Sequence, residues 1–163
     1  MNKRGHVING LLLAVGIGFV IEPGLDQATV TTLAAISVPI FLGALVPDVD
    51  TVFGVHRKSM HNLPVLAIFL AYPVMFDNLH FVWIGVVSHF ALDTLGTRRG
   101  IALLYPLTGR EYALPVGVSV DSRYSDAVTV LVTAFEIAVF WVIHTSVLAL
   151  GTDGTFALLW PGI

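Results

Sequence analysis

The stretch QATVTTLAAISVPIFLGALVP, residues 27–47, runs 21 positions without Asp, Glu, Lys or Arg, and Asp48-Val49-Asp50 follows at once. A helix needs about 20 mostly apolar residues to cross a bilayer core ~30 Å thick. The segment therefore reads as a membrane span that ends in paired carboxylates. Four further stretches fit the same reading. Residues 5–21 and 59–76 carry no charged side chain, and neither do residues 78–92, where a helix can continue to Leu95 across Asp93. Residues 127–152 contain only Glu136. The composition agrees: 56% of the 163 residues are hydrophobic and 12% are charged, about half the charged share of a soluble domain. This excludes a disordered chain, a nucleic-acid-binding arm and a disulfide scaffold. The absence of cysteine excludes thiolate metal sites and thiol nucleophiles.

The expected fold is all-α: a polytopic membrane bundle forming one domain over 1–163. About five transmembrane helices are expected, near 7–21, 28–46, 63–76, 79–95 and 127–150. The shorter spans call for tilt or local thinning of the bilayer. Asn2-Lys3-Arg4 ahead of Leu11–Ile21 has the charge order of a signal peptide. Phe19-Val20-Ile21-Glu22-Pro23 offers no small-x-small cleavage site, so a retained helix is expected. The apolar tail Phe156–Ile163 is too short to span, and Trp160 reads as an interfacial anchor.

Five crossings sort the charges. Lys3, Arg4, Arg57, Lys58, Arg98, Arg99, Arg110 and Arg123 all fall on one side, and Glu22, Asp26, Asp77 and Asp153 on the other. The positive-inside rule then places the N-terminus in the cytoplasm, the C-terminus outside, and a long loop, 96–125, on the cytoplasmic face. Loops of that length are often functional. Short extended or half-helical pieces lying on the membrane surface are expected there.

The same sorting separates the six histidines. His80 and His144 belong to the outer end. His6, His56, His61 and His89 belong to the cytoplasmic end, with Asp48, Asp50 and Asp93. His89 and Asp93 stand four apart, which puts both on one helix face about 6 Å apart along the axis. Each piece alone has a plain structural reading: an intrahelical hydrogen bond for His89 and Asp93, a turn signal for Asp48 and Asp50, solvated loop residues for His56 and His61. Together they bring seven N and O donors from separate segments to one membrane face, where unpaired ionisable groups are costly. Such a set suits Zn²⁺, Mn²⁺ or Fe²⁺. Seven donors exceed one closed four-ligand site and imply two or more ions with open positions.

On His6, Gly43-Ala44-Leu45-Val46-Pro47-Asp48-Val49-Asp50, His56-Arg57 with His61, His89-Phe90-Ala91-Leu92-Asp93 and Gly100-Ile101-Ala102-Leu103-Leu104-Tyr105-Pro106, the chain resembles the YdjM-like membrane-bound metal-dependent hydrolases. These are also described as LexA-binding inner-membrane-associated hydrolases. Met60 and Asn62 stand where the family pattern often has Thr and Ser. The family is similar at a distance to zinc-dependent phospholipases C and S1/P1-type nucleases. The resemblance implies hydrolysis of a phosphoester or related ester at the cytoplasmic face of the inner membrane, with no direct nucleic-acid contact. In that reading His6, Asp48, Asp50, His56, His61, His89 and Asp93 hold the ions, Asp50 orients the attacking water, and Arg57, with Arg110 as a second candidate, holds phosphate oxygens. The bilayer is the partner, and a lipid or other phosphoester is the substrate. Two other classes stay open at this point: a metal-ion or proton transporter, and a non-catalytic regulator or scaffold acting through 96–125. Glu136, about 15 Å into its helix, reads either as a protonated helix-packing residue or as a partner of Asn9 or Thr133, too deep for the metal cluster.

Overall fold

The computed structural model describes residues 1–149, and its regular elements are helices. The helices are α1 (Lys3–Ile21), α2 (Gln27–Leu45), the one-turn α3 (Asp50–Phe53), α4 (Leu63–Phe76), α5 (Val82–Leu95) and α6 (Ser125–Ala149). A 3₁₀ turn, Val46–Val49, joins α2 to α3. Trp160, Asp153 and the apolar tail lie outside the described residues.

Local chemistry starts these helices where the sequence places them. The Asn2 side chain accepts from the Gly5 amide at 2.8 Å. Asp26 caps α2 by accepting from Ala28 and Thr29 amides at 2.9 and 3.2 Å, while the Asp26 amide donates to Thr29 Oγ1. This reciprocal pair satisfies amides that the first turn leaves free. Asn62 caps α4 through the Val65 amide at 3.0 Å, with Pro64 in the first turn. α5 begins later than the sequence pattern suggests, at Val82 and not at 79. Asp77 and Leu79 take left-handed backbone (φ 48° and 53°), which breaks the helix between α4 and α5.

α1, α2 and α5 form the interior; α6 lies against α1 and α5, and α4 packs on α5. Leu13, Ile17, Ile36, Ile40, Phe81 and Ile84 meet between these helices. The α2–α5 crossing is backbone to backbone. A Cβ at Gly43 would run into the Val82 carbonyl, and one at Gly85 into the Ile40 carbonyl. Small residues permit this approach, as is common where helices pack within a membrane. Gly85→Ala should therefore force the helices apart, at a cost of about 1–3 kcal/mol. A lower unfolding midpoint in detergent checks this; a midpoint equal to wild type contradicts it.

Among the described residues, three helical stretches are long and apolar enough to cross a bilayer: Lys3–Ile21, Gln27–Phe53 and Ser125–Ser146. α4 and α5 have 14 residues each, about 21 Å of helix, less than the hydrocarbon thickness. The outer surfaces of α4 and α6 are apolar: Ile68 and Met75 on α4, and Leu131, Phe135 and Ile143 on α6, are exposed. A water-soluble bundle would not present such contiguous apolar faces; lipid is the solvent that suits them.

Residues 96–124 hold no helix. The segment is extended, with isolated bridges pairing Thr97 with Val118 and Ile101 with Tyr112. It folds back onto the loop before α4: the Ala102 amide donates to the Arg57 carbonyl and the Leu63 amide to the Leu103 carbonyl, both at 2.9 Å. Arg99 and Glu111 close it with a bidentate pair at 3.0 and 3.1 Å. The expected extended pieces are present, seated on the end of the bundle that carries the histidines.

Candidate metal centre

Antiparallel packing makes this end. α1 contributes its first turns, α2 and α5 their last, and the loop between α3 and α4 closes over them. All seven donors read from the sequence arrive here. Two groups of three bring ligand atoms within 4.8 Å of one another: His6, His89 and Asp93, and Asp48, His56 and His61.

The groups meet at one point. His61 Nε2 and His89 Nε2 are 3.0 Å apart. Asp48 Oδ1 lies 3.9 Å from the first and 3.7 Å from the second. Asp93 Oδ2 lies 3.7 Å from His61 Nε2 and 3.9 Å from His89 Nε2. A tetrahedral shell with Zn–N and Zn–O bonds of ~2.0–2.1 Å has ligand atoms about 3.3–3.4 Å apart. Each carboxylate oxygen, with the two imidazole nitrogens, stands within about half an ångström of that spacing.

The groups behind the ligands fix their tautomers. His89 Nδ1 donates to the Ala44 carbonyl at 2.7 Å, so its Nε2 carries a lone pair. His61 Nδ1 lies 2.9 Å from Asp50 Oδ2 and, donating there, leaves its own Nε2 as a lone pair. Two lone pairs facing each other at 3.0 Å repel unless a cation lies between them. The carboxylate–imidazole and carbonyl–imidazole pairs are the arrangement that orients metal-bound histidines. Asp50 serves two histidines: its Oδ1 is 3.0 Å from His56 Nδ1, and Oδ2 also accepts from the Met60 amide at 3.3 Å. It is fully buried and lies on the Nδ1 side of both imidazoles.

His6 extends the cluster. Its ring stacks on His89 at 3.7 Å between centroids, and its Nε2 is 3.4 Å from Asp93 Oδ1. Both His6 nitrogens and Asp93 Oδ2 are buried without a hydrogen-bond partner. Buried polar atoms are nearly always paired, so these three point to a missing ligand. The Met1 amino group also abuts Asp93 Oδ1; burial first, then Arg57, pushes it down to about 5.

Burial likewise pushes the His61 imidazole down to about 4, against the pull of Asp50. A neutral imidazole is the form that binds metal. The sign for stability follows. The unfolded chain takes up a proton below pH ~6.5 that the folded imidazole refuses. The metal-free protein should therefore lose stability as the pH falls from about 6.5 towards 4. Unfolding midpoints of chelator-treated protein across that range check this, and a flat profile contradicts it.

Arg57 is where the sequence reading changes most. It has left-handed backbone (φ 67°), and its side chain is buried. Nη1 donates to Thr97 Oγ1 at 3.2 Å, to the Gly100 carbonyl at 3.3 Å and to the Arg99 carbonyl; Nη2 is 3.5 Å from Asp93 Oδ1. The guanidinium is thus engaged with protein oxygens, tying the 96–124 segment to Asp93. Arg110 lies over the Tyr112 ring, 5.5 Å from its centroid. A cleft of about 410 Å³ opens beside the cluster, lined by His56, Arg57, Thr97, Arg98 and Ser119. His56 and Asp48, with side chains 37% and 14% exposed, form the open side. Thr97 and the Ala44 carbonyl were not singled out in the sequence. A threonine four residues after Asp93 was the available signal for the first; a backbone carbonyl leaves none.

Glu136 stays apart from the cluster and bonds to Asn9 and Ser88 at 2.9 and 2.7 Å. Asn9 also donates to Thr133 at 2.9 Å. Both residues named from the sequence as neighbours of Glu136 are thus in its cluster.

No curated protein and no solved structure matches the chain. One family model, described as YdjM inner membrane protein, matches residues 1–160. With buried His/Asp groups that could hold a metal and apolar helices for a membrane, the chain belongs to the YdjM inner membrane protein family.

Proposed function

We propose that this protein is a membrane-bound, metal-dependent hydrolase that cleaves a phosphoester or related ester at the cytoplasmic face. One observation carries the reading: His61 Nε2 and His89 Nε2 face each other at 3.0 Å with their lone pairs, and a carboxylate oxygen of Asp48 and one of Asp93 each lie 3.7 to 3.9 Å from both. His61, His89, Asp48 and Asp93 would hold one ion. His6, beside His89 and Asp93, and His56, beside Asp48 and His61, are the donors available to a further ion on either side. Zn²⁺ fits the N/O set best, with Mn²⁺ and Fe²⁺ as alternatives. A bound divalent ion supplies Lewis acidity and a water of lowered pKa.

The chain's own residues do the rest. Asp50 holds His56 and His61 with their Nε2 atoms free. The Ala44 carbonyl does the same for His89. Arg57 holds Thr97 and the Arg99–Gly100 backbone against Asp93, and so shapes the cleft beside the ions. It acts by positioning. Arg98, at the cleft wall, brings positive charge near the site, which suits an anionic phosphoester.

In this proposal all five long helices cross or enter the bilayer and the site faces the cytoplasm. The eight cations sort to that side. A ligand cluster at one end of the bundle also differs from the midplane sites of many transporters. Two experiments test the reading. Detergent-purified protein should contain transition metal and hydrolyse a member of a phosphodiester and lipid-phosphoester panel; protein without either contradicts it. The cysteine-free background makes the orientation simple to check. Arg110→Cys should be labelled only from the cytoplasmic side and Asn78→Cys only from outside, and the reverse pattern overturns the orientation.

A further inference from the structure

A second buried polar cluster lies between α1, α5 and α6; Ser88 directly precedes His89 on α5, yet none of the cluster's hydrogen bonds reaches a histidine. Asn9, Ser88 and Thr133 are each at most 3% exposed. Asn9 Nδ2 contacts Thr133 Oγ1 and Glu136 Oε2, both at 2.9 Å. Ser88 Oγ contacts Asn9 Oδ1 and Glu136 Oε2, both at 2.7 Å. The Thr133 hydroxyl donates to the Thr129 carbonyl at 2.8 Å, so its hydrogen is used.

Counting hydrogens decides the charge of Glu136. The four contacts among Asn9, Ser88, Thr133 and Glu136 each need one hydrogen. Asn9 supplies two and the Ser88 hydroxyl one. With an ionised Glu136 the fourth contact would be two bare oxygens at hydrogen-bond distance. Turning the Asn9 amide over does not help. Its oxygen would then face Glu136 Oε2 and the committed Thr133 hydroxyl, and the carboxyl would again have to donate. Both orientations call for a proton on Glu136, which in the arrangement above donates to Ser88, which donates to Asn9. Glu136 Oε1 is buried with no hydrogen-bond partner, a place suited to a neutral carbonyl oxygen and costly for a charged one.

We infer that Glu136, Ser88 and Asn9 form a proton-binding site inside the bundle, and that the bound proton clasps α6 to α1 and α5. Its hydrogen bonds use none of the donors of the metal centre. α6 packs only on α1 and α5 among the described helices with close contact, so the clasp governs how firmly this lipid-facing helix is attached. The other titratable groups on these three helices belong elsewhere. His6, His89 and Asp93 belong to the metal cluster, Arg4 pairs with Asp126 at 2.8 Å, Lys3 lies at the start of α1, and His144 lies two turns further along α6.

Infrared spectroscopy of the full chain in nanodiscs tests the inference. At pH 7 the wild-type spectrum minus that of Glu136→Gln should show the carbonyl stretch of a protonated carboxylic acid. Ser88→Ala should shift that band, because it removes the acceptor of the acid's hydrogen bond, and this comparison serves if Glu136→Gln does not fold. A spectrum with only an ionised carboxylate at this position overturns the site. So does a band that is present in potassium buffer and absent in sodium buffer, which would assign the site to a sodium ion. Thermal unfolding reads the clasp. Glu136→Gln keeps an N–H donor and should match wild type at pH 7. Glu136→Ala should lower the midpoint by on the order of 5 °C. On alkaline titration wild type should lose stability relative to Glu136→Gln, as the proton is stripped. An alanine variant as stable as wild type contradicts the clasp.

Discussion

His89→Ala should abolish metal binding and, with it, hydrolysis. His89 Nε2 sits within 3.9 Å of three other donor atoms, so its removal takes one corner from the proposed four-donor shell. It also removes the ring on which His6 stacks. The loss in metal affinity should exceed the ~10–100-fold typical of losing a group behind a ligand. The Ala44 carbonyl would lose its donor, a further cost of about 1–3 kcal/mol in stability. Metal analysis separates the effects: a variant that folds, keeps its helical content and holds no metal is the expected product. His61→Ala should behave alike from the opposite side of the shell, and a folded His89→Ala that retains wild-type metal content would refute the assignment.

Asp50→Asn is the second large effect. Asp50 touches both His56 and His61 through Nδ1. An amide can accept from only one of them through its single oxygen. The other histidine would lose its tautomer lock, and the NH₂ group would face an N–H. The expected loss is about 10–100-fold in metal affinity, smaller than for His89→Ala, with the metal restored at high concentration. That restoration distinguishes a positioning role from direct ligation. Titration with Zn²⁺ after chelation measures both. If Asp50→Asn and His89→Ala lose metal to the same extent and neither recovers at high Zn²⁺, Asp50 is a ligand and not a positioning residue.

The helices and the membrane setting were legible because uncharged runs of 17 to 21 residues match the thickness of a bilayer and stand out in a chain with 12% charged residues. The gathering of His6, Asp48, His56, His61, His89 and Asp93 was legible for a related reason. Antiparallel helices of similar length return to one end, so topology alone brings α1's start, α2's end and α5's end together. Residue spacing does not reveal what lies behind a ligand. Asp48 and Asp50 look equivalent in Asp-Val-Asp, yet the short turn Val46–Val49 followed by α3 points one carboxylate at the histidine Nε2 atoms and buries the other behind their Nδ1 atoms. Arg57 reads as a phosphate ligand from its charge and neighbours. A left-handed φ of 67° and three backbone or hydroxyl acceptors give it a different task, and neither is visible in sequence. The uncharged run from 78 does not reveal that α5 starts only at Val82, because Asp77 and Leu79 break the helix with positive φ, a conformation uncommon outside Gly, Asn and Asp.

The most direct measurement is the metal content of the purified full-length chain, wild type beside His89→Ala, by elemental analysis after gel filtration. A metal centre built on His61, His89, Asp48 and Asp93 predicts at least one equivalent of transition metal per wild-type chain and a loss of it in the folded variant. Less than one equivalent in wild type, with no change on His89→Ala, would contradict it.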